Sequence, residues 1–147
     1  MRKMIFLLII LFIPAIFSQD ANYKDDIKKI YELTKELDEY IDSNRLEFDI
    51  YDKWYKEFLL LRDDFVKKYL ATYSKEEFFK TARDAFDKFS LVWGFLNDFE
   101  YAKAQYAEYI GTNDIGYAHK WRETANTKKQ NAIEFFKEAK NLLEKIK

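Results

Sequence analysis

Beyond Tyr23, apolar residues recur at intervals of three and four, the spacing that lines one face of an amphipathic helix. Three such stripes follow one another, separated by polar stretches. The first comprises Ile27, Ile30, Leu33, Leu37 and Ile41. The second comprises Tyr51, Trp54, Phe58, Leu61, Phe65 and Tyr69, and the third runs through Phe78, Ala82, Ala85, Phe89, Val92, Leu96, Phe99, Tyr106 and Ile110. The pattern therefore predicts long helices.

Residues that interrupt helices are scarce and mark the expected boundaries. Glycine occurs only at positions 94, 111 and 116, and the sole proline is Pro14. We predict a first helix over 23–41, a second over about 46–71, and a third that begins with a capping box formed by Ser74 and Glu77 and ends at Gly111. The segment 94–98 could split this third helix, since it combines a glycine with a second cap-like sequence.

The last helix carries a seven-residue repeat of small side chains, and residues 112–114 offer competing caps at its start. The repeated residues are Ala118, Ala125, Ala132 and Ala139. A large residue follows three places after three of them, at Trp121, Phe135 and Leu142, and Lys128 breaks this second series. Small residues let a neighbouring backbone approach closely, as in tightly packed antiparallel helices. We expect the third helix to be that neighbour, through Ala102 and Ala107, because the connection is short.

These elements predict an all-α fold, an up-and-down bundle of four long helices, or five if the third is split near residues 94–98. The alternative is a stack of helical repeats. One stretch has a tetratricopeptide-like spacing, carried by Phe86, Phe89, Ser90, Trp93, Ala102 and Tyr106. No second register repeats it.

The first 18 residues have the features of a signal peptide. Arg2 and Lys3 precede an uncharged apolar run from Met4 to Phe17, which is too short to span a membrane as a helix. Ser18 offers a small residue before Gln19, although Ile16 is larger than usual at the third position back. We therefore expect residues 1–18 to be a signal peptide, residues 19–147 to form one helical domain, and the protein to be exported to the periplasm or the cell exterior.

Composition narrows the possible partners. The chain has no cysteine, so stability depends on packing and not on disulfides. The first 18 residues hold two of the 25 basic residues and none of the 26 acidic ones, so the chain from Gln19 carries a net charge of −3. That balance gives no electrostatic basis for binding nucleic acid. We expect contact with a membrane only through the signal segment during export.

The side chains that most catalytic and cofactor sites need are missing or isolated. His119 is the only histidine, so a metal site that needs two histidines is excluded. Both methionines, Met1 and Met4, lie in the signal segment, so the remaining chain cannot bind haem through a methionine and a histidine. Beyond the signal segment the serines are Ser43, Ser74 and Ser90, which lie in turn, cap and helix settings without the glycine-flanked turn that exposes a nucleophile. We expect no metal and no cofactor.

Aromatic residues make up 19% of the chain, and several lie outside the main stripes, among them Tyr101 and Tyr117. Tyrosine and tryptophan give amphipathic contact surfaces at low entropic cost. We predict a non-enzymatic interaction module of the cell envelope that binds a protein partner, a ligand or a second copy. Its candidate binding residues are Trp93, Tyr117, His119 and Trp121. The alternatives are a tetratricopeptide-like scaffold, and a hydrolase or lyase that uses carboxylates in a bundle pocket.

Overall fold

The computed structural model of the chain describes residues 22–112 and 114–147. The predicted signal peptide, residues 1–18, lies outside the described residues. Within them every regular element is helical, and no strand is present. The elements are α1 (Tyr23–Thr34), a 3-10 turn (Lys35–Leu37), α2 (Asp38–Asp42), α3 (Phe48–Tyr73), α4 (Glu77–Ile110) and α5 (Ile115–Ile146).

The prediction of an all-α bundle is confirmed. The segment from α1 to α2 forms one arm, and α3, α4 and α5 form the other three, with α4 and α5 making the most extensive pairing. The arm of α1 packs against α3 and α5, and α3 packs against α4. The short connections between α3, α4 and α5 make consecutive helices antiparallel, as in an up-and-down bundle.

The predicted first helix is not continuous, because a 3-10 turn separates α1 from α2. Just before this turn the indole Nε1 of Trp54 donates a hydrogen bond of 2.9 Å to the carbonyl oxygen of Leu33. Thr34 is fully buried, and its hydroxyl donates to the carbonyl of Tyr31 at 2.6 Å. Both bonds use backbone carbonyls of the last turn of α1. The α-helix of the arm is therefore interrupted where a side chain of α3 contacts its backbone.

The core is dominated by aromatic rings from α3 and α4. Trp54 has ring centroids 5.3 Å from Phe58, 5.2 Å from Phe89 and 5.8 Å from Phe136. The hydroxyl of the buried Tyr51 donates to the carbonyl of Phe89 at 2.8 Å, and burial raises the pKa of this phenol well above its usual value. The second predicted stripe is buried except for Leu61, which is half-buried.

The start of α4 differs from the prediction, because Ser74 and Glu77 do not form a capping box. Ser74 is the C-terminal cap of α3, and α4 begins after Glu76, whose side chain makes no capping hydrogen bond. The amide of Glu76 instead donates to the carbonyl of Tyr73 at 2.9 Å. Because α3 runs two residues further than predicted, Ser74 is used to end one helix and cannot start the next.

The helix α4 is continuous from Glu77 to Ile110, so the possible split near residues 94–98 does not occur. An added Cβ at Gly94 would meet no atom within 4 Å, so this glycine serves neither a bend nor a close approach. The continuity also means that residues 86–106 do not form the helix-turn-helix of a tetratricopeptide unit. The helix ends as predicted before Gly111, although Ile110, expected to be a core residue, is exposed.

The alanine repeat of α5 is buried along its whole length, at Ala118, Ala125, Ala132 and Ala139. On α4, Ala102 is buried as predicted, but Ala107 is exposed and does not contribute to the interface. The large residues that α5 buries completely are Phe136 and Leu143, each four places after an alanine. Phe135 and Leu142, three places after, are only half-buried at its edge. Of the competing caps, Asp114 accepts a hydrogen bond from the amide of Tyr117 at 3.4 Å.

A polar cluster joins α1 to α3. The carboxylate of Asp26 accepts hydrogen bonds from the hydroxyl of Tyr69 at 2.9 Å and from the ammonium groups of Lys68 and Lys29 at 3.2 Å each. Burial alone would raise the pKa of Asp26, but these bonds outweigh it and hold the pKa below its usual value. Burial and the bond to Asp26 raise the pKa of Tyr69 to about 12.

Replacing Asp26 by asparagine is expected to lower the free energy of unfolding by about 2 kcal/mol at neutral pH, since hydrogen bonds to a charged group are lost. The folded-state pKa of Asp26 is lowered, so its contribution is complete above the unfolded value near 3.8 and disappears as the pH falls through the folded value. Urea unfolding of wild type and variant at neutral and at strongly acidic pH measures the contribution of Asp26 to the free energy of unfolding. A difference between wild type and variant that does not shrink in acid would contradict the assignment.

Candidate interaction surface

The end of the bundle nearest the α4–α5 connection is a two-helix extension. The ring of Phe48, the first residue of α3, lies 5.3 Å from that of Trp93 on α4. Beyond that point α4 continues to Ile110, and α5 returns from Ile115. Among the described residues from 97 to 128, every side-chain hydrogen bond, ion pair and ring contact is made within or between α4, α5 and the connection that joins them. This part of the hairpin is not covered by α1 or α3.

Five contacts between α4 and α5 lie along one side of the hairpin. From the connection toward the body they are Tyr109 with Tyr117, with ring centroids 5.7 Å apart, Tyr101 with Trp121 at 5.7 Å, Asp98 with Lys128 at 2.7 Å, Phe95 with Phe135 at 5.3 Å, and Lys88 with Glu138 at 2.7 Å. We call each contact a rung and the ten residues together the outer flank. Aromatic rungs and ion-pair rungs are therefore interleaved.

Sequence spacing explains why the rungs share one side. Residues seven apart on a packed helix point in nearly the same direction, and Lys88, Phe95 and Tyr109 differ by multiples of seven, as do Trp121, Lys128 and Phe135. The side chains that contact α3 belong to other positions. Phe89 and Phe136 meet Trp54, and Trp93 donates from Nε1 to Asp52 at 3.0 Å. The outer flank thus faces away from α3, and at its far end Glu138 borders a groove that is also lined by Ile41 of α2.

The position of Lys128 explains why it interrupts the series of large residues on α5. Because this series lies at the edge of the hairpin, and not at its centre, a long charged side chain is accommodated there. The ammonium of Lys128 binds Asp98 and lies 5.5 Å from the centre of the Phe95 ring. Lys88 likewise binds Glu138 and lies 5.0 Å from the centre of the Phe135 ring.

The aromatic rungs nearest the connection are accessible. Tyr101 is 60% exposed and Tyr117 is 54% exposed, while Tyr109 and Trp121 are half-buried. Leu91, seven residues before Asp98, is also exposed on this side. Among the described residues of this extension, Phe99 is the one large side chain that is buried, and the other buried residues are alanines. The outer flank therefore presents ring surface that the described part of the chain does not cover.

The structure brings together only two of the four residues singled out from the sequence. Tyr117 and Trp121 lie on the outer flank, one helical turn apart. His119 is exposed between them in sequence, but two residues along a helix turn a side chain by about 200 degrees, so it points to another side. Trp93 lies in the body, where Phe48, Tyr55 and Asp52 surround it. These four residues do not form one site.

The carboxyl groups whose pKa is shifted are held in their charged form. A groove of about 450 Å³ is lined by Glu36, Asp49 and Glu57 together with Lys53. The described carboxyl groups with a shifted pKa are Asp26, Glu32, Asp52 and Glu144, and each shift is downward and involves a lysine. Hydrogen bonds from Lys56 and Trp93, for example, lower the pKa of Asp52. A lowered pKa keeps a carboxylate charged and unfit to donate a proton.

Two further features of the described residues bear on the class of protein. No group of three or more histidine, cysteine or carboxylate side chains is arranged to hold a metal ion in residues 22–112 and 114–147. In the same residues, no helix combines the length and the apolar character needed to cross a lipid bilayer.

Sequence reasoning missed most of the outer flank. It proposed Tyr117 and Trp121 as binding residues and noted Tyr101 as an aromatic residue outside the main stripes. It did not join Tyr101 or Tyr109 to them, because the pairing of α4 with α5 is not visible in one sequence. The seven-residue spacing of Lys88, Phe95 and Tyr109 was a usable signal. Comparison with known proteins adds no relative: no family model, no curated protein and no solved structure matches this chain.

Proposed function

We propose that this chain is an exported, non-enzymatic protein of the cell envelope that acts by protein–protein contact through the outer flank of its α4–α5 hairpin. The observation that carries the proposal is the pair of exposed aromatic rungs, Tyr109 with Tyr117 and Tyr101 with Trp121, on a side that α1 and α3 leave uncovered. Aromatic residues are enriched in the centres of protein interfaces.

The arrangement of the rungs supports contact with a protein surface. Each ring is held against a ring of the other helix, so little side-chain freedom remains to be lost on binding. The ion pair between Asp98 and Lys128 lies beside the aromatic rungs and adds charged groups that a partner protein can recognise. A rigid aromatic surface with charged neighbours is typical of protein interfaces.

Export is the second part of the proposal, and it depends on the basic and apolar character of residues 1–18. The absence of cysteine agrees with a domain that folds without oxidation in any compartment. An interaction module in the periplasm or outside the cell would meet its partner there.

The test is affinity capture from the organism's own envelope with the chain from Gln19 onward, which contains every core residue described above. The double variant Tyr101→Ser with Tyr117→Ser removes the two most exposed rings of the outer flank without touching the core. The control is Leu60→Ser on α3, which removes another exposed apolar side chain, 75% exposed. We expect wild type and control to recover the same specific protein, and the double variant about tenfold less.

Circular dichroism verifies that all three forms are folded. Equal recovery by the double variant would show that the outer flank does not bind the captured protein. Recovery of no specific protein, including a second copy of the chain, would count against an interaction module altogether.

A further inference from the structure

We infer that the partner of the outer flank is a second copy of this chain, bound in a parallel dimer whose two-fold axis runs along the hairpin. This inference deepens the proposed function, since it uses the same surface. In such a dimer α4 of one copy faces α5 of the other at the same height along the axis. An interface of this kind is isologous, so each contact occurs twice.

The charges of the outer flank fit that arrangement. Within one copy Asp98 lies level with Lys128, and Lys88 lies level with Glu138. A two-fold axis along the hairpin exchanges the helices but keeps the heights, so each charge meets the opposite charge of the second copy. The aromatic rungs face aromatic rungs. Each ion-pair rung thereby becomes part of a network of four charges. This network sets the height of one copy relative to the other along the axis.

A two-fold axis across the hairpin would place α4 against α4 and α5 against α5, with the heights reversed. An axis midway between Asp98 and Glu108 would bring these two acids of different copies together, and like charges repel. An axis level with Trp93 would instead bring Asp98 to Lys88 and Lys128 to Glu138, which are opposite charges. Only the parallel arrangement also joins Glu108 to Lys120, so these two residues distinguish the arrangements.

Glu108 and Lys120 provide the most specific contact. Glu108 lies seven residues after Tyr101, and Lys120 lies one turn after Tyr117, so they border the aromatic rungs on opposite edges. Both are exposed, and neither makes an ion pair within the described part of the chain. Asp98 and Lys128 lie level with each other, and from that level Glu108 is ten residues and Lys120 eight residues toward the connection. The two side chains therefore differ in height by about 3 Å at a rise of 1.5 Å per residue, a distance that a glutamate and a lysine span. In the parallel dimer Glu108 meets Lys120 of the second copy twice.

The outer flank has the area of a weak specific dimer. Its rungs extend from Tyr117 to Glu138 on α5, about 32 Å at a rise of 1.5 Å per residue, and two helices side by side are about 20 Å wide. The resulting face of about 640 Å² per copy is below the roughly 800 Å² of a standard interface and falls in the range of weak complexes. The arm of α1 and the helix α3 pack on other faces of the hairpin.

The experiment measures the mass and the dissociation constant of the chain from Gln19 onward by sedimentation and native mass spectrometry. We expect wild type to dimerise. Glu108→Lys alone and Lys120→Glu alone should each weaken the dimer by about tenfold or more, since each creates two like-charge contacts. An equimolar mixture of the two single variants should form heterodimers, in which both contacts again join opposite charges. Leu60→Ser serves as the control and should dimerise like wild type.

A wild-type chain that stays monomeric at about 100 μM, far above the micromolar range of weak specific complexes, overturns the inference. Dimers that are equally strong in both single variants reject the parallel two-fold axis, as does a mixture that associates no better than its components. If the chain is monomeric but still captures a different protein through Tyr101 and Tyr117, only the second copy is rejected and the proposed function stands.

Discussion

Replacing Trp54 by alanine is expected to lower the free energy of unfolding by about 4 kcal/mol, the upper part of the range for truncation of a buried aromatic residue. The indole is almost fully buried and packs against rings from three helices, including Phe58, Phe89 and Phe136. Alanine would leave a cavity between α3, α4 and α5. It would also remove the hydrogen bond to the Leu33 carbonyl, which joins α1 to α3.

The matched variant Trp54→Phe separates the two contributions. It keeps an aromatic ring in the core but removes the indole donor, so we expect a smaller loss of about 2 kcal/mol. Urea denaturation followed by circular dichroism gives both values. If Trp54→Ala were no more destabilising than Trp54→Phe, the ring contacts described above could not be a major source of stability.

Replacing Ala132 by leucine is expected to lower the free energy of unfolding by about 3 kcal/mol, because the extra atoms have no space between α4 and α5. Ala132 is completely buried in the alanine repeat that lets the two helix backbones approach. The larger side chain must push α4 away or adopt a strained rotamer. Either change weakens the most extensive helix pairing of the bundle.

The control for this variant is Ala104→Leu on α4. Ala104 is exposed, and both residues favour helices, so we expect a change within about 0.5 kcal/mol. Thermal unfolding of both variants tests the pair of expectations. Equal stability of Ala132→Leu and Ala104→Leu would mean that the alanine repeat does not hold the helices close together.

Much of the fold could be predicted because the buried positions repeat once per helical turn. Ile27, Ile30, Leu37 and Ile41 are buried although a 3-10 turn interrupts the helix that carries them. The 3-10 turn was not predictable, since it adjoins a hydrogen bond from Trp54, which lies 21 positions after Leu33 in the sequence. Local sequence likewise assigned Ser74 to the wrong helix, because the end of α3 depends on its packing beyond Ala71.

The candidate surface was predicted less well than the fold. Tyr117 and Trp121 were recognisable as aromatic residues near the start of α5, but an aromatic residue on a helix is equally suited to a core. Whether it faces inward depends on the register between two helices, and a shift by one residue exchanges Phe135 for Phe136. The same ambiguity applies to Lys128, which interrupts a series of large apolar residues in the sequence but binds Asp98 of α4 in the structure.

The connectivity of the bundle has a consequence for how it forms. Only a short connection joins α4 to α5, whereas the contact of Lys140 with Asp38 links residues 102 positions apart. Closing a loop costs more entropy as the loop lengthens, so near-neighbour contacts form first during folding. We expect α4 and α5, the two longest helices, to pair early in folding and α1 to pack against them last. The N-terminal arm should then be the first part to detach when the protein unfolds locally.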